Sequence, residues 1–156
     1  MTVEDDISLL EQVPMLALLE RPALRILAIG AESRYVHRGE VLFYAGEPAD
    51  GGYVVQDGSF GLQAESGSQA SREVTAGPRC LIGELALLTE TLRPMTATAL
   101  EPSTVIRISR SLFLKMLDGF PDAAVRLRDH IAERAEQTTR DMRAVRAALD
   151  AAERRR

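Results

Sequence analysis

Between Tyr35 and Ile108 the sequence is divided into short apolar runs by glycine, proline and aspartate, and this spacing restricts the fold more than any other feature. The runs cover residues 41–44, 53–55, 60–62, 81–82 and 105–108. Runs this short are typical of strands, because a helix needs a longer segment to show its own period. Closely spaced strands with turn residues between them favour a sandwich or barrel with jelly-roll-like connections.

Two connections within this region are predicted from their residues. Asp57-Gly58 lies between two apolar runs and predicts a hairpin, since a primed turn needs positive φ at its central residues. The polar segment 66–71 has no apolar anchor and is predicted to be the most mobile loop of the barrel.

The sequence on both sides of the barrel has the period of helices. A short helix is predicted over residues 4–12, ended by Pro14, and a second helix from Pro22 to Gly30. The apolar residues of the second helix are Leu24, Ile26, Leu27 and Ile29. The predicted fold class is α+β, a jelly-roll-like antiparallel β-barrel (β-roll) flanked by N-terminal helices and a long C-terminal helix. We divide the chain into an N-terminal helical segment, 1–34, the barrel, 35–110, and the C-terminal helices, 111–156.

The long C-terminal helix is predicted from Pro121 onward. Its apolar positions recur at alternating steps of three and four residues: Ala124, Leu127, Ile131, Ala135, Thr138, Met142, Val145 and Leu149. This is a heptad-like seam, which Ala135 and Thr138 weaken. It predicts a homodimer through the C-terminal helix, with a monomeric helix that folds back or frays as the alternative.

Residues 82–96 combine a glycine, a short helix and a more distant arginine. Gly83 precedes a helix of one or two turns, and Arg93 follows Glu84 nine residues later. A helix this short is unstable alone, so something must anchor it. The backbone N–H groups at its start suit an anion, and Arg93 is placed to bind the same anion as a bidentate partner.

This segment resembles the phosphate-binding cassette of cyclic nucleotide-binding domains. That family includes the regulatory subunits of cyclic-AMP-dependent kinase, bacterial catabolite activators and cyclic-nucleotide-gated channels. The motif is Gly-Glu-Leu-Ala-Leu-Leu at residues 83–88, with Arg93 and Thr96 at the family's distances. Residues 13–16, 38–50 and 53–60 resemble the segment before the barrel, the first barrel strands and the next hairpin. The resemblance covers roughly residues 10 to 130.

The resemblance implies a cyclic nucleotide, cAMP or cGMP, as the ligand and no other cofactor. The implied binding residues are Gly83, Glu84, Leu85, Ala86, Arg93, Pro94 and Thr96. The backbone N–H groups of residues 83–86 and the Arg93 side chain would hold the phosphate, while Glu84 would accept from the ribose 2′-hydroxyl. Each side chain also has a purely structural explanation. Glu84 stabilises a helix dipole without any ligand, and Arg93 is a surface arginine or pairs with Glu84 or Glu90.

Pro94 departs from the family pattern, which usually has alanine, serine or threonine after the arginine. Proline has no N–H to give to a phosphate. Loss of one such bond costs on the order of 1 kcal/mol, or about fivefold in affinity. The choice between cAMP and cGMP stays open, because a threonine at this position often favours the guanine ligand. The contact to the base also stays open among Leu127, His130 and Ile131.

Composition narrows the class of protein. Of the 156 residues, 46% are apolar and 27% charged, which indicates a globular chain. The formal net charge of −4 argues against a nucleic-acid partner. No apolar run is long enough to cross a membrane, and the acidic N-terminus does not resemble a signal peptide, so we expect a cytoplasmic protein without a membrane partner. His37 and His130 have no neighbours at metal-ligand spacing, so no metal site is predicted.

The sequence therefore favours a non-catalytic cyclic-nucleotide sensor whose C-terminal helices pass the signal to an unidentified protein effector. The alternative is a degenerate form of the same fold, acting as an interaction or assembly module without useful nucleotide affinity, and Pro94 favours it. An enzyme is the third class, but the motifs of nucleophile elbows and of nucleotide-hydrolysing phosphate loops are missing from the sequence. Direct control of transcription is not expected, because no helix-turn-helix pattern follows Pro121.

Overall fold

The computed structural model describes residues 2–64 and 74–130, together with the single positions 133 and 147. The predicted mobile loop at 66–71 lies outside these residues. So do the positions of the heptad-like seam from Ile131 onward, and with them most of the predicted dimer helix.

In the described part of the chain, three α-helices and a further helical segment precede and follow the strands. Helix α1 spans Val3–Glu11 and begins with a capping box in which Thr2 and Asp5 bond to each other's backbone. A 3₁₀ turn at Leu16–Leu18 leads to α2, Arg21–Gly30. Helix α3 spans Arg110–Gly119, and the Ser109 hydroxyl caps its N-terminus. Residues 121–130 are also helical. Within the described part of the chain, each helix is too short or too polar to span a lipid bilayer.

Ten strands are described between α2 and α3. They are β1 (Glu32–Val36), β2 (Val41–Phe43), β3 (Pro48–Ala49), β4 (Gly51–Asp57), β5 (Phe60–Ala64), β6 (Val74–Ala76), β7 (Leu81–Ile82), β8 (Thr91–Leu92), β9 (Met95–Ala99) and β10 (Ser103–Ser109). All described strand pairs are antiparallel. One four-stranded sheet has the order β1-β10-β4-β7, a second has the order β2-β9-β5-β6, and β3 pairs with β8 in a two-stranded ribbon. The predicted α+β class with an antiparallel β-roll is confirmed.

The predicted hairpin at Asp57-Gly58 is wrong, although a turn is present. Strand β4, before the turn, belongs to the first sheet, and β5, after it, belongs to the second, so the two strands do not pair. Gly58 has φ of 90° while Asp57 is not in the left-handed region, which differs from the primed turn with two positive φ angles. The turn therefore carries the chain from one sheet to the other.

Two hydrophobic cores lie on opposite faces of the first sheet. The helical core contains the buried side chains of α1, α2, α3 and residues 121–130, with Val54, Ile106 and Ile108 from the sheet. The roll core lies between the two sheets and includes Tyr53 and Val55. Strand β4 alternates between the two cores, as successive side chains of a strand must. This alternation directs Tyr53 into the roll, where the site described below lies.

Helix α2 uses a different face from the one its apolar residues predicted. Leu24 and Leu27 are buried, but Ile26 and Ile29 are exposed. The small residues Ala23 and Ala28 complete the buried face, since Ala23 lies four positions before Leu27 and Ala28 lies four positions after Leu24.

Candidate functional site

Gly83 marks the start of the site, at the point where β7 ends. It has φ of 83° and ψ of 40°, a left-handed conformation that costs a residue with a Cβ about 1–2 kcal/mol. A Cβ at this position would also collide with Nη1 of Arg93. The turn therefore favours glycine, and the arginine packed against it would have to shift if a side chain were added.

The Arg93 side chain is buried inside the β-roll, with 5% of its surface exposed. Backbone bonds with the 46–47 turn fix its position: Arg93 N–H donates to the Glu47 carbonyl at 2.8 Å, and Gly46 N–H donates to the Arg93 carbonyl at 2.7 Å. The guanidinium carbon lies 4.3 Å from the ring centroid of Phe43 and 5.6 Å from that of Tyr53. Contact with these two ring faces favours the cation.

The charge of Arg93 is not neutralised by any described residue in contact with it. Nη1 has no hydrogen-bond partner, and Arg93 forms no ion pair within the described residues. Burial lowers the pKa of Arg93, while Tyr53, Asp50 and Glu47 act in the opposite direction. Both structural explanations of Arg93 are thus wrong for this part of the chain, since it is neither a surface residue nor paired with Glu84 or Glu90. A buried donor without a partner is costly, so the arrangement points to an anion.

The segment after Gly83 is a single 3₁₀ turn, Glu84–Leu87, at the short end of the predicted one or two turns. Ala86 is buried, and its N–H donates to the Gly83 carbonyl at 3.1 Å. That N–H is therefore engaged within the turn, unlike its predicted role at a phosphate. Leu85 lies at the tip of the turn with 53% of its surface exposed.

Glu84 contributes to the wall of a cavity of about 490 Å³. The other lining residues are Val13, Pro14, Met15, Pro78, Arg79, Cys80, Leu81 and His130. Arg93 is not among them, so the two side chains that the resemblance assigns to one ligand do not line this cavity together. Glu84 is half-buried in the turn after β7, whereas Arg93 is buried against Phe43 in the roll.

Pro94 and Thr96 follow the arginine on the way into β9. Pro94 is exposed. The Thr96 hydroxyl accepts a hydrogen bond from Ala45 N–H at 2.9 Å, so it holds the 44–46 turn in place. A hydroxyl that accepts one bond still has its own hydrogen to donate.

Of the three base-contact candidates, Leu127 is excluded, because its side chain is 1% exposed and belongs to the helical core. His130 lines the cavity beside Glu84. Ile131 lies outside the described residues.

Arg110 is a residue of this site that the sequence did not indicate. Its Nη1 donates to the carbonyls of Ala49 at 2.9 Å, Thr89 at 3.1 Å and Ala86 at 3.3 Å. The side chain thereby joins the first residue of α3 to the 84–89 turn and to β3. The sequence contained one indication of this role. A cation in the first turn of a helix opposes the helix dipole, so its position there implies a compensating interaction elsewhere.

Comparison with known proteins identifies the family of this chain. A family model described as the cyclic nucleotide-binding domain matches residues 33–120, more than half of the chain. An NTE family protein of Mycobacterium bovis is 36% identical over 112 residues, which cover 72% of this chain and 19% of that protein. The chain therefore spans about a fifth of the length of this relative.

Two solved structures are similar over most of this chain. A cyclic nucleotide-binding-like protein from Brucella abortus is 36% identical with a TM-score of 0.65, covering 73% of this chain and 98% of that one. The N-terminal domain of a transcriptional regulator from Streptomyces coelicolor is 30% identical with a TM-score of 0.75, covering 86% and 94%. The family model and the fold agree with each other and with the buried Arg93 packed against Gly83. This chain belongs to the cyclic nucleotide-binding domain family.

Proposed function

We propose that the chain is a cyclic nucleotide-binding regulatory module that takes cAMP or cGMP as its ligand. One observation carries the proposal: Arg93 is buried against the rings of Phe43 and Tyr53, and its Nη1 lacks a partner among the described residues. A cyclic phosphodiester has one negative charge and acceptor oxygens, so it would supply both the missing bond and the missing charge. Charge-assisted bonds of this kind are about twice as strong as neutral ones, and the surrounding apolar core strengthens them further.

The other cassette residues take supporting roles in this proposal. Gly83, Leu85 and the backbone of residue 84 form the turn against the phosphate, and the apolar side chain of Ala86 keeps water from it. The half-buried carboxylate of Glu84 would accept from a ribose 2′-hydroxyl. Thr96 would donate its hydroxyl hydrogen to a phosphate oxygen, partly offsetting the N–H that Pro94 lacks.

The proposed output passes through the C-terminal helices. Arg110 joins the turn at 84–89 to α3, and α3 packs in the helical core together with Leu127. A ligand that moves the 84–89 turn would therefore move the start of α3. We propose that two binding partners respond to this movement. One is a second copy of the chain, bound through the C-terminal helix, and the other is a protein effector that is not identified.

The alternative function is an interaction or assembly module that has lost useful nucleotide affinity. Pro94 is the observation that favours it, because no backbone donor exists at that position. Under this alternative Arg93 would be a remnant that destabilises the roll without a compensating ligand.

Calorimetric titration with cAMP and with cGMP separates the two functions. For a sensor, Arg93→Ala should weaken binding by about 1.5–3 kcal/mol, the usual range for a charged hydrogen bond, or roughly 10- to 150-fold. Arg34→Ala is the matched control, since that arginine is exposed and its nearest carboxylate, Glu40, is 3.9 Å away. Absence of heat and of thermal stabilisation at millimolar concentrations of both nucleotides would rule out the sensor.

A further inference from the structure

The Asp50 side chain is bound by Arg107, not by Arg93 of the site. Its Oδ2 accepts from Nη2 of Arg107 at 2.7 Å. The carbonyl of Asp50 also accepts from Arg110 N–H at 2.7 Å, which fixes the backbone immediately before β4. The carboxylate is thus tied to β10 on one side, although 70% of its side-chain surface is exposed and water alone would satisfy it.

Arg93 lies close to this ion pair. Arg107 on β10 faces Tyr53 on β4 in the strand register, and the Tyr53 ring lies beneath the Arg93 guanidinium. A Cβ placed on Gly83 would collide with Arg93 Nη1. The same Cβ would lie 3.5 Å from the carbonyl oxygen of Gly51, the residue after Asp50. Asp50 therefore lies one residue from the backbone that surrounds the buried guanidinium. The pKa of Arg93 fits this placement: burial lowers it most, Asp50 opposes the decrease, and Arg107 adds to it.

We propose that Arg107 is a positioning residue for the anion site: by holding the Asp50 carboxylate, it keeps that acid from pairing with Arg93 and leaves the Arg93 charge for the phosphate of a ligand. This inference rests on the proposed function and adds a determinant of affinity outside the cassette. Without Arg107, Asp50 would have two nearby cations among the described residues: Arg110, whose Nη1 already donates to three carbonyls, and Arg93, whose Nη1 has no partner and would therefore gain most from the carboxylate. The ligand would then have to displace an internal carboxylate before it could bind.

The effect on affinity follows from the fraction of molecules in which Arg93 is available. The apparent dissociation constant rises in inverse proportion to that fraction. If Asp50 paired with Arg93 in nine molecules of ten, affinity would fall roughly tenfold. Removal of the Asp50 charge would abolish this competition whether or not Arg107 is present.

A double-mutant cycle tests the inference with the whole chain, the variants Arg107→Gln, Asp50→Asn and their combination, and calorimetry with cAMP and cGMP. Arg107→Gln should weaken binding roughly tenfold, Asp50→Asn should bind at least as well as the unmodified chain, and the double variant should match Asp50→Asn. Arg107→Lys keeps the charge that holds Asp50 and should lie within about twofold of the unmodified chain. Thermal denaturation of every variant verifies that it is folded.

Rescue by Asp50→Asn is the decisive result, because a merely structural role of Arg107 predicts weakened binding that persists in the double variant. Persistence of the loss, or an Arg107→Gln variant that binds normally, would overturn the inference. Nitrogen NMR of the Arg93 guanidinium provides a second measurement that needs no ligand. Rotation about the Cζ–Nη bonds should slow in Arg107→Gln, where a carboxylate pairs with Arg93, and should stay fast in the double variant. If the unmodified chain binds neither nucleotide, the proposed function fails, and unchanged Arg93 signals in Arg107→Gln would separately overturn the role of Arg107.

Discussion

The helical core and the roll core differ in how they treat polar groups. Within the described residues the helical core is formed by apolar side chains, and the two buried polar side chains, Arg93 and Ser103, both belong to the β-roll. The Ser103 hydroxyl is hydrogen-bonded. It accepts from Ser59 N–H at 3.1 Å and donates to the Glu101 carbonyl at 2.8 Å. Arg93 Nη1 has none. A buried polar group with partners serves the fold, whereas one without partners needs an explanation, and the ligand proposed above would supply it.

The largest expected effect is on the helical core. Phe113 is fully buried there, and Phe113→Ala should lower the free energy of unfolding by about 3–5 kcal/mol. Urea denaturation measures this change, and nucleotide affinity of the remaining folded protein should be nearly unchanged. A large loss of affinity in Phe113→Ala would show that the two cores are not separate in function.

The roll core should respond in the opposite sense when its charge is removed. Arg93→Met replaces the unpaired guanidinium by an apolar side chain of similar length, so the free energy of unfolding should rise by about 1–2 kcal/mol, the penalty for a buried donor without a partner. The gain is limited because contact with Phe43 already stabilises the cation. Urea denaturation would contradict this prediction if Arg93→Met were clearly less stable than the unmodified chain.

Gly83→Ala tests the contact between the turn and the arginine. The left-handed backbone should cost about 1–2 kcal/mol of stability, and the added Cβ would displace the Arg93 side chain. Binding of a cyclic nucleotide should therefore weaken by more than this stability loss explains. Gly39→Ala is a matched control, since Gly39 also has φ of 83° but has open space around it. Equal loss of binding in both variants would contradict a specific role of Gly83.

Arg79 offers the smallest expected effect. It is the one described residue other than glycine with positive φ, 72°, in a turn closed by a bond from Cys80 N–H to the Gly77 carbonyl. Arg79→Gly should raise the free energy of unfolding by about 0.5–1 kcal/mol, because relief of the backbone strain exceeds the entropy that glycine loses. A midpoint of denaturation below that of the unmodified chain would show instead that the bond from Arg79 to Gln12 outweighs the strain.

The sequence predicted the strands that are buried and missed most of those that are not. Strands β4 and β10 were visible as apolar runs, because both of their faces are covered by a core. Strand β1 has four exposed residues of five, and β9 consists of alanine and threonine after its first residue, Met95. Neither provides the apolar period on which the prediction depends. The hairpin error at Asp57-Gly58 has a related cause, because turn residues indicate a reversal of the chain but not the strand with which each side pairs.

The site could be predicted only in part. Gly83 and Arg93 were visible because their spacing and residue types match a known pattern, and the structure brings them into contact. The roles of Arg107 and Arg110 could not be predicted, since one depends on a pairing between strands and the other on backbone carbonyls that the fold brings together. The roles of Glu84, Pro94 and Thr96 toward a ligand stay predictions.

The pairing of β1 with β10 has a consequence for how the chain acquires its fold. Val36 lies opposite Ser103, so the first sheet joins the beginning of the roll to its end across almost the whole intervening sequence. Contacts so distant in sequence form slowly, because the entropy of closing the loop must be lost before the contacts are gained. During synthesis β1 has to wait until β10 has left the ribosome, and a chain that stops before Ser103 leaves Tyr53 and Val55 without the strand that completes their sheet. The interior that holds Arg93 is thus among the last parts of the molecule to close.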